Sequence, residues 1–272
     1  MRAGLTAARD WHHGIAQAPS ADDTLMRCTE AEIRRGLRGS YFFTLHPPGR
    51  PSPYDCVYAP DDRVLFRGAR RTVSSVIREL ADEGFDVGLH GSFWSAYNAA
   101  ALTVERDAVE LAAGRPVVTT RQHYLRWDPR RTPAAQQEAG LRADSTLGFN
   151  RNVGYRAGTS LPHFLFDPER RRSCTVLEIP LIVQESPLQA RNALELDRSM
   201  AKGVLEHVFA AAAQVEGLVT LLFHPHSLLK ADFVDLYEYA LDRALAAGAW
   251  VATVADIDVW WRRRAEALGA AS

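Results

Sequence analysis

The sequence has few cysteines and no long apolar run. Cys28, Cys56 and Cys174 are odd in number and widely spaced, so they form neither a disulfide framework nor a Cys-x-x-Cys metal clip. No run approaches the ~20 apolar residues of a membrane span, and the opening residues MRAGLTAARDWHHG lack an apolar signal core. We therefore expect a cytoplasmic protein without a membrane span.

Net charge is nearly absent as well. The formal value of −1 gives no overall field that would attract nucleic acid or an anionic membrane. A chain of 272 residues, 47% hydrophobic and 24% charged, can bury a sizeable core. Because no repeat, low-complexity tract or convincing linker interrupts the pattern, we predict a single domain over residues 1–272.

Strand patterns and helix patterns alternate along the chain. We predict helices at 22–37, 71–85, 99–113, 132–141, 189–214, 233–248 and 257–268. We predict strands at 3–6, 39–46, the segment that ends at His90, 116–122, 174–183, 218–223 and 250–255. This spacing is typical of βαβ units around a parallel sheet. We expect an α/β fold, a distorted and incomplete (β/α) barrel of about seven parallel strands.

Polar side chains stand where several of these strands end. FDVGLH ends at His90, PVVTTRQH at His123, VGYR at Arg156, and VTLLFHPH carries His224 and His226. In a parallel α/β barrel the C-terminal ends of the strands meet at one mouth, where catalytic residues lie. Several histidines at such a mouth indicate first of all a metal site.

Five segments together resemble the polysaccharide deacetylase superfamily, and in particular a branch found among bacterial surface-polysaccharide biosynthesis proteins. They are GLHGSFWSAYN, RQHYLRWD, DSTLGF, VGYRAGTSLPHFLFD and LLFHPHS, and the similarity runs from about Arg38 to Trp261. The resemblance implies a divalent metal, usually zinc, and hydrolysis of an N-acetyl group on a sugar. In such a site the metal activates water and polarises the acyl carbonyl, while side chains move protons.

The resemblance also implies roles for individual residues. His90 matches the first histidine of the second motif; where the superfamily has another histidine, this chain has Trp94, and His123 is the natural substitute ligand. His224 matches the general acid, with His226 as the alternative. Arg156 matches the arginine of the third motif, although a purely structural ion pair would use the same contact.

The first motif departs from the family pattern. The branch carries Thr-His-Asp-x-Asp at an early strand end, and the best match, LTAARD, keeps Thr6 and Asp10 but has Ala7 and Ala8 in between. Asp10 is the expected third metal ligand. The usual base is replaced by alanine, so Asp144 or another carboxylate would have to act in its place; a structural role for Asp144 is the simpler interpretation.

Aromatic and cationic residues near the motifs are candidates for substrate binding. Trp94 and Tyr124 can offer faces to a sugar ring or simply pack, and Arg121 is a further candidate. We expect the arginine-rich segment 168–172 to be a solvated turn.

Three functions agree with these residues. The first is a metal-dependent deacetylase acting on an N-acetylated sugar or glycan precursor. The second is a catalytically inactive barrel that binds carbohydrate or a partner enzyme, as Ala8 would favour. The third is a metal-dependent hydrolase that cleaves a cyclic amide or removes a formyl group. Metal-activated water can attack an acetyl group, a cyclic amide and a formyl group alike.

Overall fold

The computed structural model describes residues 19–45, 54–55 and 58–269 of the chain. Its helices are α1 (Pro19–Arg34), α2 (Val73–Asp82), α3 (Ala99–Ala113), α4 (Thr132–Glu138), α5 (Glu185–Gln189), α6 (Arg198–Gln214), α7 (Ala231–Ala246) and α8 (Val254–Ala267). Its strands are β1 (Ser40–Phe43), β2 (Arg63–Phe66), β3 (Ala69–Thr72), β4 (Asp86–Gly91), β5 (Thr119–Gln122), β6 (Ala143–Asp144), β7 (His163–Asp167), β8 (Arg172–Glu178), β9 (Val183–Gln184) and β10 (Leu221–Leu222). The predicted opening strand at 3–6 lies outside the described residues.

The strands form a curled, open half-barrel. Within the described residues the main sheet has the order β1-β4-β5-β6-β8-β7, and β9 pairs with β10 in a separate parallel pair. The pairs from β1 to β8 are parallel, whereas β7 runs antiparallel to β8. The expectation of a distorted, incomplete barrel is confirmed, with the correction that not every strand is parallel.

Helices cover the outer face of the sheet. In one core, Ile77 and Leu80 of α2 pack with Leu102 of α3 against Leu89 of β4. A second core joins Val183 of β9 to α6 and α7. Burial of these side chains stabilises the fold by roughly 25 cal/mol per Å² of apolar surface removed from water. The packed helices thereby hold the strand ends in fixed positions.

Two antiparallel hairpins were not predicted. β2 and β3 are joined by a tight turn in which Arg67 has φ 50° and Gly68 has φ 75°. β7 and β8 are joined by an exposed turn at 168–171, as expected for the arginine-rich segment. The β2–β3 hairpin also moves the start of the predicted helix 71–85 to Val73, since Thr72 ends β3 and caps α2.

Near the end of the chain the predicted strand at 250–255 is wrong. No strand is assigned there, and α8 begins at Val254. The reason is a capping box: the hydroxyl of Thr253 accepts from the backbone N–H of Asp256, and the Asp256 carboxylate accepts from the N–H of Thr253. The apolar run was long enough for a strand, but Thr253 caps a helix and Val254 is its first residue. Similarly, the predicted helix at 189–214 is shortened to α6, because Asp197 caps it.

Candidate functional site

The ends of two neighbouring strands bring His90 and His123 together. His90 lies near the end of β4, opposite Arg121 of β5, and His123 follows directly after β5. The two imidazole rings are 4.9 Å apart between centroids and tilted by 56°. The sequence prediction that these two histidines meet at one edge of the sheet is thus met by the geometry.

Glycines on both sides of His90 allow the neighbouring strand to approach closely. A Cβ atom at Gly88 would lie 2.5 Å from Oγ1 of Thr119, and one at Gly91 would lie 2.2 Å from Oε1 of Gln122. Any larger residue would therefore collide with these side chains of β5, which would have to move.

Hydrogen bonds fix which nitrogen of His90 faces the mouth. Nδ1 of His90 lies 2.8 Å from the backbone oxygen of Arg121. A carbonyl oxygen only accepts, so Nδ1 carries the hydrogen and Nε2 keeps its lone pair. Burial and, next, the charge of His123 hold the pKa of His90 well below its usual 6.5. His90 is therefore neutral near pH 7, the form in which histidine binds metals.

A carboxylate that the sequence analysis did not single out orients His123. Asp55 is 3% exposed, and its Oδ1 lies 2.8 Å from Nδ1 of His123 and accepts from the N–H of Phe93 at 2.7 Å. Nδ1 of His123 thus serves as the donor, and Nε2 carries the lone pair. A carboxylate behind a histidine in this manner is the usual support of a metal ligand. Because Asp55 lies in a loop far from both strands in sequence, no local pattern indicated it.

A second carboxylate holds His224. Glu185, the first residue of α5, is fully buried, and its Oε1 accepts from Nδ1 of His224 at 2.7 Å and from the hydroxyl of Ser227 at 2.7 Å. Burial lowers the pKa of His224, but the Glu185 carboxylate outweighs burial and leaves that pKa raised. Burial raises the pKa of Glu185, yet the charge and hydrogen bonds of His224 leave it lowered. Glu185 was also missed, because it follows an apolar strand pattern without any distinguishing neighbour.

The other two predicted mouth residues have different surroundings. The ring of His226 lies 5.3 Å from that of His224, and burial, followed by the charge of His224, lowers the pKa of His226 to about 4. The prediction that VGYR is a strand ending at Arg156 is wrong, because residues 153–156 form an irregular turn. Arg156 is exposed there and donates to the carbonyl of Gly148 at 2.9 Å. Among the described residues no carboxylate forms an ion pair with Arg156. Of the two histidines, His224 is the one whose surroundings favour the protonated form.

Arg121 and Asp144 lie in the interior beneath the histidines. The guanidinium of Arg121 donates to the carbonyl and the hydroxyl of Ser145, each at 2.8 Å, and stacks on Phe42. Asp144 is fully buried, as is Glu178, which it adjoins, and burial raises the pKa of both carboxyls. Two adjacent buried carboxyls favour one shared proton. Substrate binding by Arg121 and catalysis by Asp144 stay predictions.

Trp94 and Tyr124 lie at the rim of the mouth. Their side chains are 62% and 49% exposed, so both rings are accessible from solvent. Tyr124 lies 4.5 Å from the His123 ring, and Phe93 lies between Tyr124 and Trp94. These rings continue outward from His123 without interruption, which agrees with a platform beside the histidines.

The donor chemistry of His90 and His123 fits a divalent metal. Both rings commit Nδ1 to an acceptor and leave Nε2 for a ligand bond, the arrangement of imidazole in zinc sites. Within the ranges that the structure describes, no group of three or more histidine, cysteine, aspartate or glutamate side chains could hold a metal ion. The predicted third ligand, Asp10, lies outside those ranges. A complete site therefore needs at least one ligand from elsewhere.

Comparisons with known proteins give the fold. A protein assigned as a polysaccharide deacetylase, from Mycobacterium smegmatis, superposes with a TM-score of 0.63 at 19% identity, over 92% of this chain and 80% of its own. A second assigned polysaccharide deacetylase, from Pseudomonas aeruginosa PAO1, gives 0.51 at 16% identity, over 88% of this chain and 73% of its own. An allantoinase gives 0.50 at 13% identity, over 74% and 65%.

No family model and no curated protein matches the sequence. The chain has a polysaccharide-deacetylase-like fold, as the sequence motifs predicted. At these identities the likeness concerns the fold alone. No helix in the described ranges is both long and apolar enough to cross a bilayer.

Proposed function

We propose that the protein is a metal-dependent hydrolase that removes an N-acetyl or related acyl group from a sugar or a sugar-containing biosynthetic intermediate. The observation that supports this proposal is the pair His90 and His123, each with its Nδ1 hydrogen-bonded and its Nε2 without a partner among the described residues. The fold is shared with assigned deacetylases and with an allantoinase. A cytoplasmic address, which we also propose, favours a precursor over a mature polymer.

His90 and His123 would hold the metal, together with Asp10. Bound zinc would lower the pKa of a water and polarise the acyl carbonyl. The protein contributes the geometry: the β4–β5 pairing sets the separation of the two rings, and Asp55 fixes the orientation of the second. A neutral His90 at pH 7 needs no deprotonation before it binds the ion.

His224 would supply the proton for the leaving amine. Its Nδ1 is held by Glu185, so the other nitrogen is the one available to a substrate. The raised pKa of His224 favours its protonated form, which is the form that an acid requires. His226, whose pKa is lowered to about 4, is neutral near pH 7 and would serve substrate binding.

The remaining predicted residues receive supporting roles in this proposal. Arg156 would keep the place of the third-motif arginine that the resemblance implies, since its exposed guanidinium has one terminal nitrogen on Gly148 and others available. Asp144 is enclosed with Glu178, so we propose that it holds Arg121 in place instead of meeting substrate. Trp94 and Tyr124 would stack on sugar rings.

The second candidate function is a catalytically inactive barrel that binds carbohydrate or a partner enzyme. Ala8 at the position of the usual base favours it, as does the enclosure of Asp144. Such a protein would bind saccharide without turnover, and a chelator would leave that binding unchanged.

Acyl release from a panel of N-acetylated saccharides separates the two functions. We expect the purified full-length protein to release acetate, to stop when a chelator is added and to recover with zinc. His90→Ala and His123→Ala should abolish release, whereas His207→Ala, an exposed histidine of α6, should retain it. Saccharide binding with no release under any metal condition would instead support the inactive barrel.

A further inference from the structure

A cleft beside the rim contains two arginines whose side-chain N–H groups donate to no acceptor among the described residues. It is lined chiefly by Trp94, Tyr97, Asn98, Arg126, Arg131 and Glu138. We call it the arginine cleft. Its volume is about 730 Å³, within the range of small-molecule sites. Neither arginine belongs to the residues discussed above.

Aromatic rings hold the guanidinium of Arg126 in place. The Cζ atom of Arg126 lies 3.8 Å from the ring centre of Phe93, 5.0 Å from Trp94 and 5.1 Å from Tyr97. The Cζ atom of Arg131 also lies over Tyr97, 4.9 Å from the ring centre. Stacking uses the flat face of a guanidinium and leaves its N–H donors at the edge. The rings therefore restrict the motion of Arg126 without consuming its donors.

The two arginines also have no acidic partner in the part of the chain that the structure describes. Other arginines there, such as Arg67 and Arg243, are in direct ion pairs with glutamates. The carboxylate that lines the cleft, Glu138, is 3.0 Å from Arg170. Two uncompensated cations in one concave surface attract an anion, and guanidinium edges match phosphate and carboxylate oxygens.

The cleft is connected to the histidines by ring contacts. Tyr124 lies 4.5 Å from His123, and Phe93 lies 5.6 Å from Tyr124. Arg126 in turn stacks on Phe93. A ligand that lies across the exposed faces of Tyr124 and Trp94 would have one end at the histidines and its other end at the arginines.

We propose that the arginine cleft binds an oxyanion of the substrate, so that the acyl sugar carries a phosphate or carboxylate group. This inference rests on the proposed function, because it takes the acyl group to lie at His90 and His123. Neutral saccharides would occupy the ring platform alone. The protein would therefore select charged precursors over neutral sugars of the same acyl group.

Binding measured without turnover tests the inference. We would titrate the full-length protein by calorimetry with N-acetylglucosamine, its 1-phosphate and the corresponding N-acetylated uronic acid. We expect at least one anionic sugar to bind about 10- to 100-fold more tightly than the neutral one. Preference for the phosphate or for the carboxylate identifies the source of the oxyanion.

Substitutions locate the effect. Arg126→Gln and Arg131→Gln should each reduce the anionic preference, and the double variant should abolish it. Arg130→Gln, an exposed arginine of the same loop that does not line the cleft, should leave it unchanged. Equal affinity for all three sugars, no binding of either anionic sugar, or an equal loss in Arg130→Gln would overturn the inference.

The failure of this inference can be told apart from the failure of the proposed function, because binding is measured without turnover. If acyl release fails and the anionic preference is found, only the hydrolase proposal falls. If acyl release occurs and anionic and neutral sugars bind alike, only the arginine cleft proposal falls.

Discussion

Oδ1 of Asp55 lies 2.8 Å from Nδ1 of His123. The same oxygen accepts from the backbone of Phe93, so the carboxylate is itself held in one orientation. One loop residue thereby links the end of β5 to the segment that follows β4. This contact decides which nitrogen of His123 is offered to the mouth, and the proposed metal site depends on it.

Removing the Asp55 carboxylate should weaken metal binding. In Asp55→Ala we expect the affinity for zinc to fall by about 10- to 100-fold, because outer carboxylates raise ligand basicity and fix the ring. Competition with a chromogenic chelator measures the affinity directly. Asp61→Ala, an exposed aspartate of the same connection, serves as control and should keep the wild-type value. Equal affinities for the two variants would show that Asp55 does not support the site.

Replacing Glu185 should lower the pKa of His224. The carboxylate is what holds this pKa above the usual 6.5, so Glu185→Gln leaves burial and the charge of Arg121, both of which lower it. Titration of the His224 ring followed by NMR of the metal-free protein gives the value. An unchanged pKa would mean that the 2.7 Å contact carries no charge interaction.

The same pair should contribute stability within a defined pH window. The raised pKa of His224 stabilises the fold fully below its usual 6.5, and this contribution is lost as the pH rises through the folded value. The lowered pKa of Glu185 stabilises the fold above its usual 4.5, and this contribution is lost as the pH falls. The destabilisation in Glu185→Gln should thus be largest between these two values and smaller outside them, as denaturant titrations at several pH values would show.

We expect Arg121 to contribute mainly to the free energy of unfolding and less to substrate binding. Arg121→Ala leaves the buried pair Asp144 and Glu178 without its cation, which costs about 3–5 kcal/mol in comparable buried networks. Urea unfolding gives the difference. Arg115→Ala removes an exposed ion pair with Asp82 and should cost at most about 1 kcal/mol. A stable Arg121→Ala protein with impaired saccharide binding would instead support the substrate role expected from the sequence.

Thr253 should stabilise the last helix through its capping box. Thr253→Ala removes the hydroxyl that accepts from Asp256 at 3.0 Å and should reduce the free energy of unfolding by about 1 kcal/mol. Thr103→Ala, inside α3, is the matched control and should change it little, because alanine favours helix interiors. Equal effects would argue against a capping role.

The sequence predicted the features that depend on local patterns. Residues 99–113 were predicted as a helix from their amphipathic pattern and the following Gly114, and they are observed as one. Gly114 ends the helix with φ 68°, and the structure adds Asn98 as the cap of the other end. The neighbouring positions of His90 and His123 followed from the rule that parallel strands end at one edge. These signals lie within a few residues of the feature they predict.

Features that depend on distant contacts could not be read in the same way. Asp55 is 68 residues from His123, and Glu185 is 39 residues from His224. Neither carboxylate has a distinctive neighbour, so their roles emerge only when the chain is folded. The strand predicted at 250–255 failed for a related reason: its apolar residues suit either state, and the Thr253–Asp256 cap decided for a helix.

Metal content per chain tests the central claim most directly. We would measure it by elemental analysis after gentle purification for wild type, His90→Ala, His123→Ala and the control His207→Ala. The account predicts about one divalent ion, zinc by preference, in wild type and control and none in the other two. Absence of metal from wild type even after zinc is added, or full occupancy in His90→Ala, would contradict it.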